Sequence, residues 1–308
     1  MPRRDFALGK CGVIVINRRL WIQGLLASGL LWGQQPVPGS PQTKDSTTPE
    51  KDWVCPMDPD YRSDKPGKCP RCGMTLRLGI PDRVEYGLEV SHRPELLRPN
   101  EKAVLTLRAV DPATKQTVKH FEIVHEKLIH FFVVSENLEY FAHIHPTLQP
   151  DGTFTQEVNL PYGGMYRLLA DFYPSGSVPQ LAVGTIFVTG DSKPGHLATE
   201  IAPSKANNLT ANLQLDPAKP LAGLTTRLMY TLDPSAELQP YLGAWAHMLA
   251  ASEDLIDLIH VHPFLADGGP KMQFNIIFPR SGLYRVWAQF QRANQVNTTV
   301  FTIPVANL

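Results

Sequence analysis

The feature that most constrains the fold of this chain is an internal repeat. The string His130-FFVVSENLEYFA-His143-Ile-His145-Pro146 recurs as His247-MLAASEDLIDLI-His260-Val-His262-Pro263, with the same gaps between the histidines. Further along, Leu160-Pro161-YGGM-Tyr166-Arg167 recurs as Phe278-Pro279-RSGL-Tyr284-Arg285. Repetition at a period of roughly a hundred residues indicates two copies of one domain. We place them at 83–190 and 209–308, joined by a linker or a domain-swapped edge at 191–208.

Each copy is predicted to be a β-sandwich. Short segments rich in branched and aromatic residues, such as 104–110, 153–160 and 166–172, are bounded by proline or glycine, which is typical of strands in sandwiches. The chain has 28 prolines, which argues against a helical bundle because proline breaks helices. The fold class is therefore mainly β, with two repeated units that are Ig-like or cupredoxin-like. The tyrosines that open the repeated Tyr-Arg pairs are predicted to be corner residues rather than catalytic ones.

The repeated histidines are predicted to gather on one face of a hairpin in each copy. Alternate residues of a strand share a face, so His143 projects together with His145. If 129–135 and 139–146 form a hairpin that turns at 137–138, His130 lies opposite His145, with Cβ atoms ~5 Å apart. The same arithmetic joins the second set, His247, His260 and His262. Three imidazoles with an open position suit Zn(II) or Cu(II), and buried, hydrogen-bonded core histidines are the alternative.

The cysteines mark a small module at 53–80. Of four cysteines, three lie close together, at Cys55, Cys69 and Cys72. The two-residue gap between Cys69 and Cys72 lets both thiolates of a tight turn face one ion. The thioethers of Met57 and Met74 lie nearby, and thiolate with thioether favours Cu(I). A redox disulfide between Cys69 and Cys72 and a structural zinc knuckle are the alternatives.

This module resembles the short heavy-metal-binding domain of copper and silver efflux adaptors and some copper-transporting ATPases. That family has C-P-M-H-P followed by S-D-x-P-G-x-C-P-x-C-G-M-x-L, and this chain keeps the pattern from Cys55 to Leu76 except at Asp58, where the family has His. The resemblance implies a heavy-metal site, with copper or silver preferred and zinc as an alternative. Asp58, which stands at the position of the family's histidine, is a harder ligand than imidazole. The remainder resembles uncharacterised exported bacterial β-sandwich proteins that carry this domain.

The N-terminus is predicted to direct export. Arg18 and Arg19 directly precede an apolar run at 20–33, which is too short to span a membrane and suits the core of a signal peptide. We predict a signal segment at 1–33, a flexible linker at 34–52, and a periplasmic or extracellular protein. A retained N-terminal membrane anchor is the alternative.

The sequence as a whole favours metal binding over catalysis. The 29 basic and 29 acidic residues leave no net charge, which argues against a nucleic-acid partner. No phosphate-binding loop or hydrolase motif is present, and no small-molecule substrate is evident, although a metal-dependent hydrolase or a copper oxidase with a three-histidine site stays open. The sequence therefore predicts an exported protein that binds, buffers or delivers copper, silver or zinc, with a metal efflux system as a partner. The alternative is an interaction module whose sandwiches dock a partner.

Overall fold

Strands and turns account for the part of the chain that the structure describes. The computed structural model describes residues 53–55, 61–71, 73–78 and 85–308, and no helix occurs in these ranges. The segments predicted for signal and linker, 1–33 and 34–52, lie outside them. Within the described ranges, no helix is long and apolar enough to cross a membrane. The predicted mainly-β fold is confirmed.

The Cys-rich module is a three-stranded antiparallel sheet with its own small core. Its strands are arranged in the order β2-β1-β3, and they are β1 (Trp53–Val54), β2 (Arg62–Ser63) and β3 (Arg77–Leu78). Cys55, Cys69 and Leu76 are buried together in this core, and Trp53 and Tyr61 pack against them. Such a small core gives little stability by burial alone, so modules of this size commonly depend on metal.

The first repeat is a sandwich of two four-stranded sheets. One sheet has the order β4-β5-β9-β8, formed by β4 (Gly87–Arg93), β5 (Lys102–Val110), β9 (Phe154–Asn159) and β8 (Thr147–Leu148). The other has the order β11-β10-β6-β7, formed by β11 (Gln180–Val188), β10 (Gly164–Phe172), β6 (Ile129–Ser135) and β7 (Phe141–Ile144).

The second repeat has the same central strand order, with differences at the edges of its sheets. Its first sheet has the order β12-β13-β14-β18, formed by β12 (Ser204–Lys205), β13 (Thr210–Asp216), β14 (Thr225–Asp233) and β18 (Lys271–Ile277). Its second sheet contains the path β15-β19-β16-β17, with β20 paired to β19, and is formed by β15 (Leu238–Gln239), β19 (Gly282–Arg292), β16 (His247–Ser252), β17 (Leu258–Val261) and β20 (Gln295–Val305). The sequence repeat is therefore a repeat of the fold.

Each sandwich has its own core between its two sheets. In β5, alternate residues such as Leu105 and Leu107 are fully buried, as expected for strands with one face on a core. The repeated tyrosines are buried: Tyr166 Oη donates to Tyr162 O at 2.9 Å, and Tyr284 Oη donates to Asp257 Oδ2 at 2.7 Å and accepts from Arg280 N at 3.3 Å. Both tyrosines lie near the start of a strand, β10 or β19, in agreement with their prediction as strand-start and corner residues.

A third apolar cluster joins the two repeats. Every residue of β6 and of β16 is buried, because one face of each strand packs on its own sandwich core and the other on the facing repeat. Phe132, Val134, Leu249 and Ala251 belong to this joint cluster. At its edge the rings of Phe141 and Trp287 stack, with centroids 5.0 Å apart and planes 8° from parallel. The two repeats therefore share a close-packed interface.

The segment 191–208 runs along both repeats and then joins the second. Gly195 N donates to Glu136 O in the first repeat at 3.2 Å, and Leu197 N donates to Glu253 Oε1 in the second at 2.6 Å. Glu200 and Thr302 then exchange backbone hydrogen bonds, and β12 pairs with β13. The end of this segment is an added edge strand of the second sandwich.

Candidate metal centres

The first candidate centre is the turn of the Cys-rich module. Cys69 N donates to Met74 O at 2.7 Å and Gly73 N donates to Cys69 O at 2.8 Å, and Gly73 has a φ of 74°, a conformation that glycine adopts without strain. Cys55, Cys69 and Met74 are all buried. The other predicted ligands, Met57, Asp58 and Cys72, lie outside the described residues.

Two arginines connect this module to the sandwiches. Arg77 Nε donates to the hydroxyl of Tyr173 in the first repeat at 3.2 Å. The guanidinium of Arg71 lies 5.5 Å from the ring centroid of Phe264 in the second repeat. Phe264 follows His262 by two residues, so the module is in contact with the segment that ends the second histidine hairpin.

The second candidate centre is the histidine face of the first hairpin. Phe131 pairs with Ile144 and Phe132 with His143, which confirms the predicted register. His130 Nδ1 lies 3.0 Å from His143 Nε2 and 3.3 Å from His145 Nε2. Nitrogens bound at about 2.0–2.1 Å to one tetrahedral zinc lie about 3.3 Å from each other. Two of the three nitrogen pairs in this first triad therefore lie near the spacing that a single ion requires.

The hairpin of the second repeat forms a matching second triad. Leu249 pairs with His260, and His262 Nε2 lies 3.0 Å from His247 Nδ1. In each triad, one nitrogen from each ring lies within 4.8 Å of the other two. Both triads could therefore hold a metal ion.

Backbone carbonyls orient the first histidine of each triad. His130 Nε2 lies 3.1 Å from Val124 O and His247 Nε2 lies 2.9 Å from Tyr241 O. A carbonyl oxygen only accepts, so the facing nitrogen carries the proton and Nδ1 of each ring presents its lone pair to the triad. This arrangement, in which the far nitrogen of a ligand ring donates to a carbonyl, is common for histidines that bind metals.

Side chains from the opposite repeat orient the second histidine of each triad. His143 Nδ1 donates to Gln289 Oε1 at 2.8 Å, and His260 Nδ1 donates to Asp171 Oδ2 at 2.7 Å. Both bonds leave Nε2 as the nitrogen that faces the triad. His260 Nε2 is buried and has no hydrogen-bond partner among the described residues. A buried polar atom of this kind costs free energy unless it finds a ligand.

Burial keeps most of these rings neutral at physiological pH. It lowers the pKa of His130 to about 3, of His143 to about 2 and of His145 to about 4. Burial likewise holds the pKa of His247 and His262 well below the usual value of 6.5. Neutral imidazole is the form that binds metal. The lone pairs of His130 Nδ1 and His143 Nε2 then face each other across 3.0 Å. This contact is unfavourable, and a cation bound by both nitrogens would relieve it.

The two triads contact each other across the interface between the repeats. The rings of His130 and His247 stack with centroids 5.3 Å apart, and the centroids of His143 and His247 are also 5.3 Å apart. A seventh ring, that of His125, lies 3.9 Å from the ring of His262. The histidines of both hairpins thus form one continuous cluster.

Residues 82–187 and 204–307 each match a family described as a domain of unknown function, DUF8832. This chain belongs to that family. Residues 53–77 match the heavy metal binding domain, as the Cys-Met motif predicts. A segment that matches a heavy-metal-binding domain therefore precedes the two DUF8832 repeats. No curated protein matches this chain.

Solved structures with similar folds include two bacterial adhesins. The adhesin InvE of Yersinia pseudotuberculosis is 12% identical, with 72% of this chain and 61% of InvE covered and a TM-score of 0.24. The Escherichia coli adhesin FdeC is 15% identical, with 76% of this chain and 71% of the FdeC chain covered and a TM-score of 0.25. This chain thus spans less than two thirds of InvE.

Three residues of the histidine cluster were not recognised from the sequence. His125 has no counterpart in the second repeat, and the sequence predicts a surface residue that could assist His130. Its ring is instead partly buried against that of His262, because the turn at Val124–Lys127 folds over the second DUF8832 repeat. Asp171 and Gln289 were not considered, because each acts on a ring in the other repeat. Each of the two residues pairs in its sheet with the first histidine of its own repeat's hairpin, Asp171 with His130 and Gln289 with His247. That position beside a predicted ligand is the feature from which they could have been identified.

Proposed function

We propose that this protein is exported and binds copper, which it buffers or delivers to a metal efflux system, without catalysing a reaction. The observation that carries the proposal is the convergence of six histidine rings, with oriented nitrogens, in a chain that also contains a heavy-metal-binding domain. Hydrogen-bond partners fix which nitrogen of His130, His143, His247 and His260 faces the cluster. Such preparation is expected of histidines that bind metal.

Copper is the metal that best fits both kinds of centre. Thiolates and thioethers, here Cys55, Cys69, Cys72, Met57 and Met74, favour Cu(I). Imidazole triads bind Cu(II) or Zn(II). A protein with both donor sets can hold copper in both oxidation states. Silver and zinc are the other metals compatible with the module, and Asp58 shifts its preference towards zinc because a carboxylate is a harder ligand.

Export would place both kinds of metal centre outside the cytoplasm, where they could bind copper that reaches that compartment. The proposal that 1–33 is a signal segment rests on the arginine pair and the apolar run alone. An N-terminal sequence determination of the protein recovered from the producing cell tests it. We expect a processed chain that begins after residue 33, and an intact N-terminus in the cytoplasmic fraction contradicts export.

A competition titration with a Cu(I) chelator tests copper binding at the module. We expect tight Cu(I) binding in the unaltered protein, its loss in Cys69→Ser, and its retention in the control with His145→Ala and His262→Ala. The control should instead lose Cu(II) and Zn(II) binding at the two triads. Tight Cu(I) binding that survives Cys69→Ser contradicts the assignment of this metal to the module.

A docking role is the second candidate, and one surface favours it. The edge strand β11 exposes a row of apolar side chains, Leu181, Val183 and Phe187, which are 56%, 49% and 69% exposed. Exposed apolar rows on edge strands are typical of interaction surfaces. Under this alternative the module is a structural zinc knuckle, so the module binds Zn(II) in preference to Cu(I), which is the reverse of the result expected for a copper protein.

A further inference from the structure

We infer that the two histidine triads form a single two-ion centre built jointly by the two repeats, in which the second triad binds its ion more tightly than the first. This inference rests on the proposed metal binding by the histidines and specifies how the ions are arranged. The first triad is His130, His143 and His145, and the second is His247, His260 and His262.

Approximate two-fold symmetry relates the two halves of the cluster. His143 and His260 occupy equivalent positions, opposite Phe132 and Leu249 in their hairpins. Their hydrogen-bond partners are also equivalent: Gln289 lies beside His247 in the sheet of the second repeat, and Asp171 lies beside His130 in that of the first. A self-complementary contact of this kind is what a two-fold interface produces.

Each triad therefore depends on both repeats. Gln289 of the second repeat orients His143 of the first, and Asp171 of the first repeat orients His260 of the second. Neither hairpin alone fixes the nitrogen that its middle histidine presents. The two centres are thus properties of the interface, and the stacking of His130 on His247 at 5.3 Å brings them side by side.

The symmetry is broken in a way that favours the second triad. Its middle histidine donates to a carboxylate, Asp171, whereas His143 donates to the neutral amide of Gln289. A carboxylate partner makes the imidazole a stronger ligand and offsets part of the ion's charge. Two neighbouring dications also repel each other, so the second ion to enter binds more weakly. The ion at His247, His260 and His262 is therefore the first to bind.

Electron paramagnetic resonance with Cu(II) tests this arrangement in the full chain with Cys55→Ser, Cys69→Ser and Cys72→Ser, so that copper binds at the histidines. With one equivalent we expect a single, isolated Cu(II) signal with nitrogen hyperfine structure. With two equivalents we expect a second copper to bind, with broadening and a half-field line from coupling of the two spins. Adding His145→Ala or His262→Ala should leave one copper and no coupling.

The two single variants also test the order of filling. His145→Ala should retain the tighter copper, and His262→Ala should retain only the weaker one. Asp171→Asn, which keeps the size of the side chain, should weaken the first binding step by about 10–100-fold and distribute the first copper over both triads. Gln289→Glu is the matched control, because it adds a carboxylate to the first triad and should tighten the weaker step. A melting curve for each variant checks that it is folded.

The outcomes separate this inference from the proposed function. Two coppers without spin coupling, or a single copper per chain, contradict the two-ion centre while leaving metal binding by the histidines in place. Loss of the tighter copper in His145→Ala rather than in His262→Ala contradicts the order of filling. No copper bound in the chain with the three Cys→Ser substitutions contradicts both this inference and the histidine part of the proposed function.

Discussion

Asp171 of the first repeat accepts a hydrogen bond from Nδ1 of His260 of the second over 2.7 Å. The bond crosses the interface between the repeats, and both side chains are largely shielded from water. It fixes the ring of His260 so that Nε2 faces the neighbouring histidines. One contact between the two repeats is thus also a contact that orients a candidate ligand, which links the interface to the proposed metal binding.

Metal should stabilise the folded protein through the triads. A ligand that binds only the folded state raises the free energy of unfolding by about 2.7 kcal/mol at a hundredfold excess over its Kd. We expect Zn(II) to give an increment of this size in urea denaturation. The increment should persist in Cys69→Ser and be lost in the double variant His145→Ala with His262→Ala. An equal increment in the double variant would exclude the triads as its source.

The metal-free protein should lose stability in mild acid. The folded-state pKa values of about 3 for His130, 2 for His143 and 4 for His145 lie below the usual 6.5. At pH values between these folded-state pKa values and 6.5, the unfolded chain binds more protons than the folded one. The free energy of unfolding therefore falls as the pH drops below about 6.5. Urea denaturation at pH 7.5 and pH 5 with a chelator measures this effect.

A matched pair of variants assigns that pH dependence. His145→Gln should reduce the difference in stability between the two pH values, because it removes a ring that protonates only on unfolding. His120→Gln, at an exposed position, should leave the difference unchanged. Equal pH dependence in the unaltered protein and in His145→Gln would show that the buried imidazoles do not control the acid response.

Trp287 should support metal binding indirectly, because it holds the two repeats together. It is 3% exposed and stacks on Phe141 across the interface. Trp287→Ala should cost about 3–5 kcal/mol of stability and should also weaken Zn(II) binding, because the triads require docked repeats. Phe187→Ala, at a side chain that is 69% exposed, should change stability by no more than about 0.5 kcal/mol. If folded Trp287→Ala binds Zn(II) with unchanged affinity, metal binding does not depend on this interface and the prediction is wrong.

Tyr166 should contribute to stability alone. Its hydroxyl donates to Tyr162 O at 2.9 Å and accepts from Tyr162 N at 2.8 Å, and loss of such bonds costs about 1 kcal/mol each. We expect Tyr166→Phe to lower the urea midpoint while Cu(II) and Zn(II) stoichiometry stay the same. A loss of bound metal in the folded variant would assign Tyr166 a role beyond the corner.

Local pattern sufficed to predict most of the fold. Segments of alternating apolar residues located the strands, and the symmetric hairpin placed Phe132 opposite His143 as observed. The gathering of three histidines on one hairpin face follows from that register. The match of residues 53–77 to the heavy metal binding domain likewise follows from a short motif with fixed spacing.

The joining of the two hairpins could not be predicted from local pattern. Each hairpin was considered alone, and the contact of Asp171 with His260 depends on how two sandwiches pack. A signal was nevertheless present, because the histidine face of β6 also carries Phe132 and Val134. A strand with apolar residues on both faces needs cover on both, and the second repeat provides it.

Anomalous diffraction from crystals of the copper-loaded chain tests the central claim most directly. We predict two copper peaks at the interface between the repeats, one bonded to His130, His143 and His145 and the other to His247, His260 and His262, each at about 2.0–2.1 Å from three ring nitrogens. Copper peaks confined to the Cys-rich module, with both triads empty, would contradict the account.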